Sequence, residues 1–398
     1  MMYSVYQHWD PLKVCIMGRS YSPEFYNFIE NSRARKVMER IAYETEEDYQ
    51  KFTKLLESFN IEVLRPTLSN NYKDYLIGDK ILPPPMTPRD FSIMLGNDFY
   101  WNASDLYQGA QDKWDFIRGS SWPEKFPNTR NDFVNLPESI QKELSVMFGL
   151  GSCQISEYPK FVGLSPIEQS IWGDVIGKIR NHANVYNIVP RALHNIDASG
   201  ATRVGKHVYV GTDYNGQDKT EKIKLLGTLY PQYKWGVVDT NGHSDGVYCP
   251  VVPGLIVSLN DVPTYKDTFP GWEVIYLPDQ SWHAVQSFLD LKEKNQGKWW
   301  VPGEELNDDF TDFVESWLGH WVGYVEETVF DVNMLVIDEK NVVCNNYNEK
   351  VFKAFERYGI TPHLINFRHR YFWDGGLHCI TSDVHREGTM KNYFPEQG

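Results

Sequence analysis

Residues 333–346, NMLVIDEKNVVCNN, contain two runs of strand-forming side chains on either side of a polar turn, Asp338-Glu339-Lys340. Apolar β-branched residues flanking such a turn are typical of a β-hairpin. Residues 351–358 then place apolar side chains at helical spacing, and the strand-like run 359–365 follows. The segment therefore predicts one compact unit made of a hairpin, a helix and a returning strand.

Similar units recur along the chain. Hairpin signals lie at residues 13–18, 91–102, 201–212 and 247–259. Helical spacing at 49–59 precedes the strand-like run 60–66, residues 223–230 precede 234–238 in the same way, and the strand-like run 272–277 follows Gly271. About five mixed units predict a closed α/β ring rather than an open parallel sheet. The alternative is an irregular α/β protein whose hairpins look alike because few residues suit turns. No low-complexity linker divides residues 1–398, so we predict a single domain.

Composition narrows the class of protein. The 398 residues carry a net charge of −14, and 41% of them are hydrophobic, which suits a globular core and argues against binding to nucleic acid or an anionic membrane. Five widely separated cysteines without close pairs indicate neither a disulfide framework nor a zinc ribbon. The first residues lack a signal-peptide pattern, and no apolar run is long enough to span a bilayer. We predict a cytoplasmic, soluble protein.

A candidate nucleophile follows a glycine pair near the C-terminus, in the run GGLHCITSD at residues 375–383. Glycines permit close approach of neighbouring groups, and a thiolate is a strong nucleophile near neutral pH. Cys379 is therefore the candidate, and a buried structural thiol is the alternative. Cys249 is a rival because it lies close to His243 in sequence, but it precedes Pro250 in a strand-like run and is expected to pack in the core.

Other ionisable residues precede successive hairpins: Asp90 before the second, Asp197 before the third, and His243 with Asp245 before the fourth. A ring would bring them together with Cys379 on its axis. Such a set suits attack on a guanidinium carbon, because carboxylates accept hydrogen bonds from a planar cation and histidine can protonate a departing amine. Asp90 and Asp245 would orient the guanidinium, and Asp197 would support the imidazole of His243.

Two other interpretations of these residues remain open. An aspartate beside a turn is usually a turn or cap residue, and a lone His-x-Asp is more often structural. A metal site built from His243, Asp245, Asp197 and His378 is conceivable, but mononuclear sites usually have more closely spaced ligands. We predict no metal.

Several motifs, taken in order, resemble the glycine (arginine:glycine) amidinotransferase family. They run from near the first residue to about Tyr393: Trp9-Asp10-Pro11-Leu12, Met86-Thr87-Pro88-Arg89-Asp90, Ile196-Asp197-Ala198, His243-Ser244-Asp245, Val252-Pro253-Gly254, Asn333-Met334-Leu335-Val336-Ile337-Asp338 and Gly375-Gly376-Leu377-His378-Cys379. The resemblance implies the pentein fold, a five-bladed pseudosymmetric α/β propeller, and ping-pong transfer of an amidino group through a covalent adduct on cysteine. It implies no metal or organic cofactor.

The resemblance also implies roles for individual residues. Carried over by motif, Cys379 is the nucleophile, His243 the acid and base, and Asp197 its partner, while Asp90 and Asp245 bind the guanidinium. The remaining candidate substrate-binding residues are Arg89, His378, Glu326 and Glu327.

The chain departs from the family around this set. Val262 aligns with an arginine thought to hold the donor's carboxylate, Glu326 and Glu327 replace serines, and Asp374 replaces the first of three glycines. A more negative outer pocket should disfavour a carboxylate there. This predicts either weaker discrimination for the α-carboxylate of arginine or an acceptor that bears an extra amine, such as a diamine or a basic amino acid, in preference to glycine. Alternatively, Arg203 or Lys266 reaches that carboxylate and restores the ordinary preference.

The predicted function is transfer of the amidino group of L-arginine, or a related guanidine, to a primary amine. Glycine is the default acceptor, and a homodimer is the candidate assembly. The first alternative is a hydrolase of the same fold, such as an arginine deiminase or dihydrolase. The second is a catalytically silent ring that serves as a binding module.

Overall fold

A computed structural model describes residues 2–77, 80–101, 137–138, 166–187, 198–211, 223–224, 226–228, 230–240, 243–259, 262, 264–277, 301, 303–304, 306–318 and 332–395. The strands within these ranges are β1 (Leu12–Met17), β2 (Glu62–Leu64), β3 (Leu76–Ile77), β4 (Lys80–Ile81), β5 (Ser92–Leu95), β6 (Asp98–Trp101), β7 (Asn184–Asn187), β8 (Ala201–Val204), β9 (His207–Gly211), β10 (Lys234–Val238), β11 (Tyr248–Val252), β12 (Leu255–Ser258), β13 (Glu273–Tyr276), β14 (Leu335–Asp338), β15 (Asn341–Cys344), β16 (Thr361–Leu364) and β17 (Thr381–Arg386).

The α-helices within the same ranges are α1 (Ser32–Ser58), α2 (Pro166–Arg180), α3 (Tyr265–Thr268), α4 (Asp308–Phe313), α5 (Glu349–Tyr358) and α6 (Arg370–Trp373). Short 3₁₀ helices cover Pro23–Phe28, Tyr72–Tyr75, Pro88–Phe91 and Ser244–Gly246, and a π-helical turn covers Val314–Leu318. None of the helices that the structure describes is both long and apolar enough to cross a bilayer.

Five three-stranded sheets share one topology, in which the first two strands are antiparallel and the second and third are parallel. The sheets are β17-β1-β2, β5-β6-β7, β8-β9-β10, β11-β12-β13 and β14-β15-β16. A parallel return requires a crossover, which α1 provides in the first blade and α5 in the last. The predicted five-bladed α/β propeller is therefore confirmed.

Four of the five predicted hairpins form within their predicted ranges, as the pairs β5-β6, β8-β9, β11-β12 and β14-β15. Glycines occupy three of their turns with positive φ, at Gly96 (59°), Gly205 (65°) and Gly254 (95°). Positive φ is strained for most other residues, so turn chemistry fixes these hairpins locally.

The hairpin predicted at residues 13–18 is wrong. Strand β1 instead pairs antiparallel with β17 from the C-terminal end of the chain, with Met17 opposite Thr381 and Leu12 opposite Arg386. A hairpin signal is local, whereas this pairing joins residues more than 350 positions apart, so sequence pattern gave no hint of the partner. The pairing closes the ring.

The helices begin and end at capping residues. Asn31 accepts hydrogen bonds from the backbone N–H groups of Arg33 and Ala34 at the start of α1, and Asn348 accepts one from Val351 at the start of α5. Helix α5 ends at Gly359, whose φ is 69°. Both helices bury an apolar face, which confirms the helical spacing seen in the sequence.

A buried ion cluster joins the blades at their first strands. Asp383 on β17 accepts hydrogen bonds from Arg203 on β8 at 2.7 Å, Arg386 at 2.8 Å and Arg89 at 3.3 Å. Arg203 also donates to the carbonyl of Met94 on β5, and Arg386 to that of Val336 on β14. All four charged side chains are buried. The cluster thus connects the first, second, third and fifth blades.

Candidate active site

The candidate residues lie just before the first strands of different blades. The 3₁₀ helix Pro88–Phe91, which carries Asp90, precedes β5, and the 3₁₀ helix Ser244–Gly246, which carries Asp245, precedes β11. Asn333 precedes β14, and Cys379 precedes β17. Equivalent positions in a ring face the same axis, so residues far apart in sequence meet there.

Cys379 is 2% exposed, and two side chains from other blades contact its sulfur. Asn333 donates from Nδ2 to Sγ at 3.0 Å, and Asp245 Oδ2 lies 3.5 Å from Sγ. Oδ1 of Asn333 accepts from the backbone N–H groups of His378 at 2.8 Å and of Cys379 at 3.0 Å. Cys379, the candidate nucleophile, is therefore held by neighbouring blades as well as by its own loop.

Close packing explains the glycine pair before the nucleophile. A Cβ at Gly376 would lie 2.6 Å from Asn333 Oδ1, and one at Gly375 would lie 2.9 Å from Thr87 Cγ2. Asp374, just before them, ends α6 in the left-handed region with φ 52°. Aspartate adopts this conformation more readily than most residues that have a Cβ, so Asp374 can occupy the position.

His378 holds the carboxylate that contacts the nucleophile. Its Nδ1 lies 2.8 Å from Asp245 Oδ2, and both side chains are buried. Burial, followed by the charge of Arg89 and the neighbouring His8, lowers the pKa of His378 well below its ordinary value. An imidazole in this position can donate from Nδ1 to a carboxylate oxygen of Asp245. The structure thus places His378 in contact with Asp245.

His243 and Asp90 form the more exposed side of the site. His243 Nδ1 lies 4.0 Å from Asp90 Oδ1, and the side chains are 45% and 28% exposed. The backbone N–H of Ala198 donates to the carbonyl of Arg89, and that of Asp245 donates to the carbonyl of Ser199. These bonds bring the segment after Asp197 against both of the short 3₁₀ helices. Asp197, Glu326 and Glu327 themselves lie outside the described residues.

The position of Arg89 does not support the predicted contact with substrate. Its side chain is fully buried, and Nε donates to the carbonyls of His378 at 2.7 Å and Thr381 at 2.8 Å. The guanidinium also joins the Asp383 cluster. Arg89 therefore holds the loop at residues 378–381, which carries Cys379, in place.

Cys249, the rival nucleophile, lies on β11 opposite Val257. Burial, reinforced by the nearby charge of Asp245, raises its pKa to about 12. A thiol with such a pKa is protonated at neutral pH and is a poor nucleophile. The expectation that Cys249 packs in the core is confirmed by its burial.

The structure places in different surroundings the three residues that were related to the donor's carboxylate: Val262, Arg203 and Lys266. Val262 is buried in an apolar cluster with Tyr248 and Phe269. Arg203 is buried and bound to Asp383 and to the carbonyl of Met94, so the suggestion that it reaches a substrate carboxylate is wrong. Lys266 is exposed on α3.

The candidate site contains the thiol of Cys379, the carboxylates of Asp90 and Asp245, and the imidazoles of His243 and His378. Carboxylates at Asp90 and Asp245 can accept hydrogen bonds from a planar cation, and the thiol beside Asp245 can attack an electrophilic carbon held there. Among the residues that the structure describes, no three His, Cys, Asp or Glu side chains are arranged to bind a metal ion.

Asn333 contacts the sulfur of Cys379, but no role was predicted for it from the sequence. The residue was part of a recognised motif but received no role. Its place directly before β14, matching that of Asp90 before β5, was the signal that could have identified it.

Comparison with known proteins shows that the chain is similar to amidinotransferases. No protein-family model matches the chain. The mitochondrial glycine amidinotransferase of Gallus gallus is 29% identical over 210 residues, which are 50% of this chain and 40% of that protein. The L-arginine:L-lysine amidinotransferase of Pseudomonas savastanoi pv. phaseolicola is 24% identical over 232 residues, 57% of this chain and 54% of that protein. The matches thus span about half the length of these relatives.

Two solved structures match nearly the whole chain. They are an amidinotransferase from Microseira wollei in the saxitoxin biosynthetic pathway and an inosamine-phosphate amidinotransferase from Streptomyces griseus. Each aligns with a TM-score of 0.58 and 15% identity over 98% of this chain and 99% of its own. These similarities confirm the resemblance inferred from sequence, and the chain has the pentein fold of the amidinotransferases.

Proposed function

We propose that the protein is an amidinotransferase that moves the amidino group of L-arginine, or a related guanidine, to a primary amine. The observation that carries the proposal is the contact between the thiol of Cys379 and the carboxylate of Asp245, 3.5 Å apart. His243, two residues before Asp245 in sequence, lies 4.0 Å from Asp90. A cationic guanidinium held by the two carboxylates would have its central carbon next to the sulfur. Its charge would favour the thiolate over the thiol by opposite-charge attraction.

In the first half-reaction, the thiolate of Cys379 attacks the central guanidinium carbon and forms a C–S bond. The C–N bond to the departing amine then breaks as His243 gives that nitrogen a proton, which leaves an amidino group on sulfur and releases ornithine when arginine is the donor. Asp197 would stabilise the imidazolium form of His243.

In the second half-reaction, the acceptor amine binds in place of the product. His243 removes a proton from it, the amine nitrogen attacks the same carbon, and the C–S bond breaks to return the thiolate. No net redox change occurs, and no cofactor is needed.

The acceptor in the proposed reaction is a primary amine. Glycine is the default because of the similarity to glycine amidinotransferases. Two observations favour an acceptor with a second amine, such as a basic amino acid. Val262, which is buried, stands where the family has an arginine, and the chain is similar to an enzyme named for arginine and lysine. Initial rates with glycine, lysine, ornithine and a diamine, each with arginine or agmatine as donor, would rank them.

Incubation with arginine distinguishes transfer from hydrolysis. Ornithine that forms in proportion to added amine, with amidino product, supports the transferase. Citrulline or ammonia formed without an amine would instead indicate a hydrolase of the same fold, in which water resolves the adduct. If neither reaction occurs and the Cys379 peptide gains no amidino mass with any guanidine tested, the silent binding-module alternative is favoured.

A further inference from the structure

The side chain of Asn333 links the backbone and the sulfur of the nucleophile. Oδ1 accepts from two consecutive backbone N–H groups, those of His378 and Cys379, while Nδ2 lies 3.0 Å from Sγ. One side-chain amide thus contacts both the backbone N–H and the sulfur of Cys379.

The orientation of this amide is fixed by its partners. A reversed amide would point its N–H groups at two N–H donors, so only the carbonyl oxygen can face the loop and only Nδ2 can face the sulfur. The residue is 1% exposed. Nδ2 also lies 3.3 Å from the carbonyl of Asp245, and the backbone carbonyl of Asn333 accepts from Asn345 Nδ2 at 3.3 Å.

The two polar groups that contact the sulfur of Cys379 have opposite effects on the stability of its thiolate form. Asp245 Oδ2 at 3.5 Å disfavours a thiolate through like-charge repulsion, whereas an N–H donor at 3.0 Å favours it. A hydrogen bond to an anion is stronger than one to a neutral thiol, so the donor acts differentially on the charged form.

We propose that Asn333 is a catalytic residue, which donates a hydrogen bond to the Cys379 thiolate whenever that anion forms. The thiolate exists before attack and again when the acceptor expels it, so the same contact serves both half-reactions. This inference rests on the proposed function for its role in turnover, but the contact itself can be tested without any guanidine.

The test is the pH dependence of alkylation of Cys379 by iodoacetamide, followed by peptide mass spectrometry. Asn333→Asp keeps the shape and the acceptor oxygen but removes the N–H donor and adds a negative charge. We expect alkylation at pH 7 to slow by about tenfold or more, the usual effect of losing a hydrogen bond to a charged group. The pH of half-maximal alkylation should rise as well.

Gly376→Ala provides a second, independent perturbation. The added Cβ would lie 2.6 Å from Asn333 Oδ1 and 2.9 Å from its Cβ, so it should displace the amide without adding charge. Asn348→Asp is the matched control, since it makes the same change at a buried asparagine that caps α5 and aspartate is an equally good N-cap.

The inference is supported if both perturbations raise the pH of half-maximal alkylation while Asn348→Asp leaves it at the wild-type value. It is overturned if a folded Asn333→Asp or Gly376→Ala protein keeps the wild-type profile, and Gly376→Ala decides alone if Asn333→Asp does not fold. A shifted profile in an enzyme that transfers no amidino group would retain the contact and reject the proposed function.

Discussion

The buried carboxylate of Asp383 should be among the residues on which the fold depends most strongly. It is the common partner of Arg89, Arg203 and Arg386, and all four side chains are buried. Burial alone would raise the pKa of Asp383, but the charges of Arg203, Arg386 and Arg89 outweigh it and hold the pKa well below its ordinary value.

The substitution Asp383→Asn removes the single negative charge from three buried cations while keeping the shape of the side chain. Breaking a buried pair by removing one partner costs about 3–5 kcal/mol, because the remaining charge is left uncompensated. Since domains are stable by only about 5–15 kcal/mol, this loss is a large fraction of the total. We therefore expect a markedly lower urea midpoint, or a protein that does not fold.

Glu62→Gln is the matched control, because Glu62 forms an exposed pair with Lys178 at 2.7 Å. Exposed pairs contribute about 0–1 kcal/mol, so its urea midpoint should stay near that of wild type. Equal midpoints for Asp383→Asn and Glu62→Gln would refute the reasoning.

The pH dependence supplies a second check. A carboxyl group with a depressed folded-state pKa contributes stability above its unfolded value, and this contribution is lost as the pH falls through the folded value. Because the pKa of Asp383 is depressed well below about 4, the stability difference between wild type and Asp383→Asn should stay constant between pH 5 and 8 as far as this group is concerned. It should shrink only in more acidic solution.

Three further predictions concern the site. Cys379→Ala should abolish turnover in a folded protein while Cys249→Ala keeps most activity, and an amidino adduct mapped to Cys249 by mass spectrometry would reverse the assignment. His243→Asn should lower the rate by roughly 10²- to 10⁴-fold as measured by steady-state kinetics, and a near wild-type rate would remove it from the mechanism. Asp374→Val should destabilise the protein by about 1–2 kcal/mol in urea titrations because of the positive φ, whereas Asp374→Gly should be tolerated; equal effects would contradict the strain argument.

The local units of the ring could be predicted from sequence because turn chemistry and apolar spacing act over short distances. The hairpin around Asp338 forms with Lys340 N–H donating to Asp338 Oδ1 at 2.7 Å, and Gly359 ends the helix that follows. Pairing of β1 with β17 could not be predicted this way, because β17 (TSDVHR) is mostly polar and no short turn joins it to β1.

The candidate site was likewise predicted only in part from the sequence. Motif order selected Cys379, Asp245 and His378, and the structure brings these three together. Arg89 was predicted to bind substrate, yet its side chain is buried and contacts Asp383. Burial of a charged residue depends on partners from other blades, which neither composition nor local spacing specifies.

The strand pairing that closes the ring also positions the candidate site. The nucleophile loop at residues 378–381 is held by Arg89 through two carbonyls and by Asn333 through two N–H groups. It leads directly into β17, which pairs with β1 and carries Asp383. Arg89 and Arg203 come from other blades, so they reach Asp383 only when β17 occupies its place in the ring, and the same placement fixes the loop relative to Asn333. Weakening the cluster should therefore reduce the reactivity of Cys379 under conditions in which most of the protein is still folded.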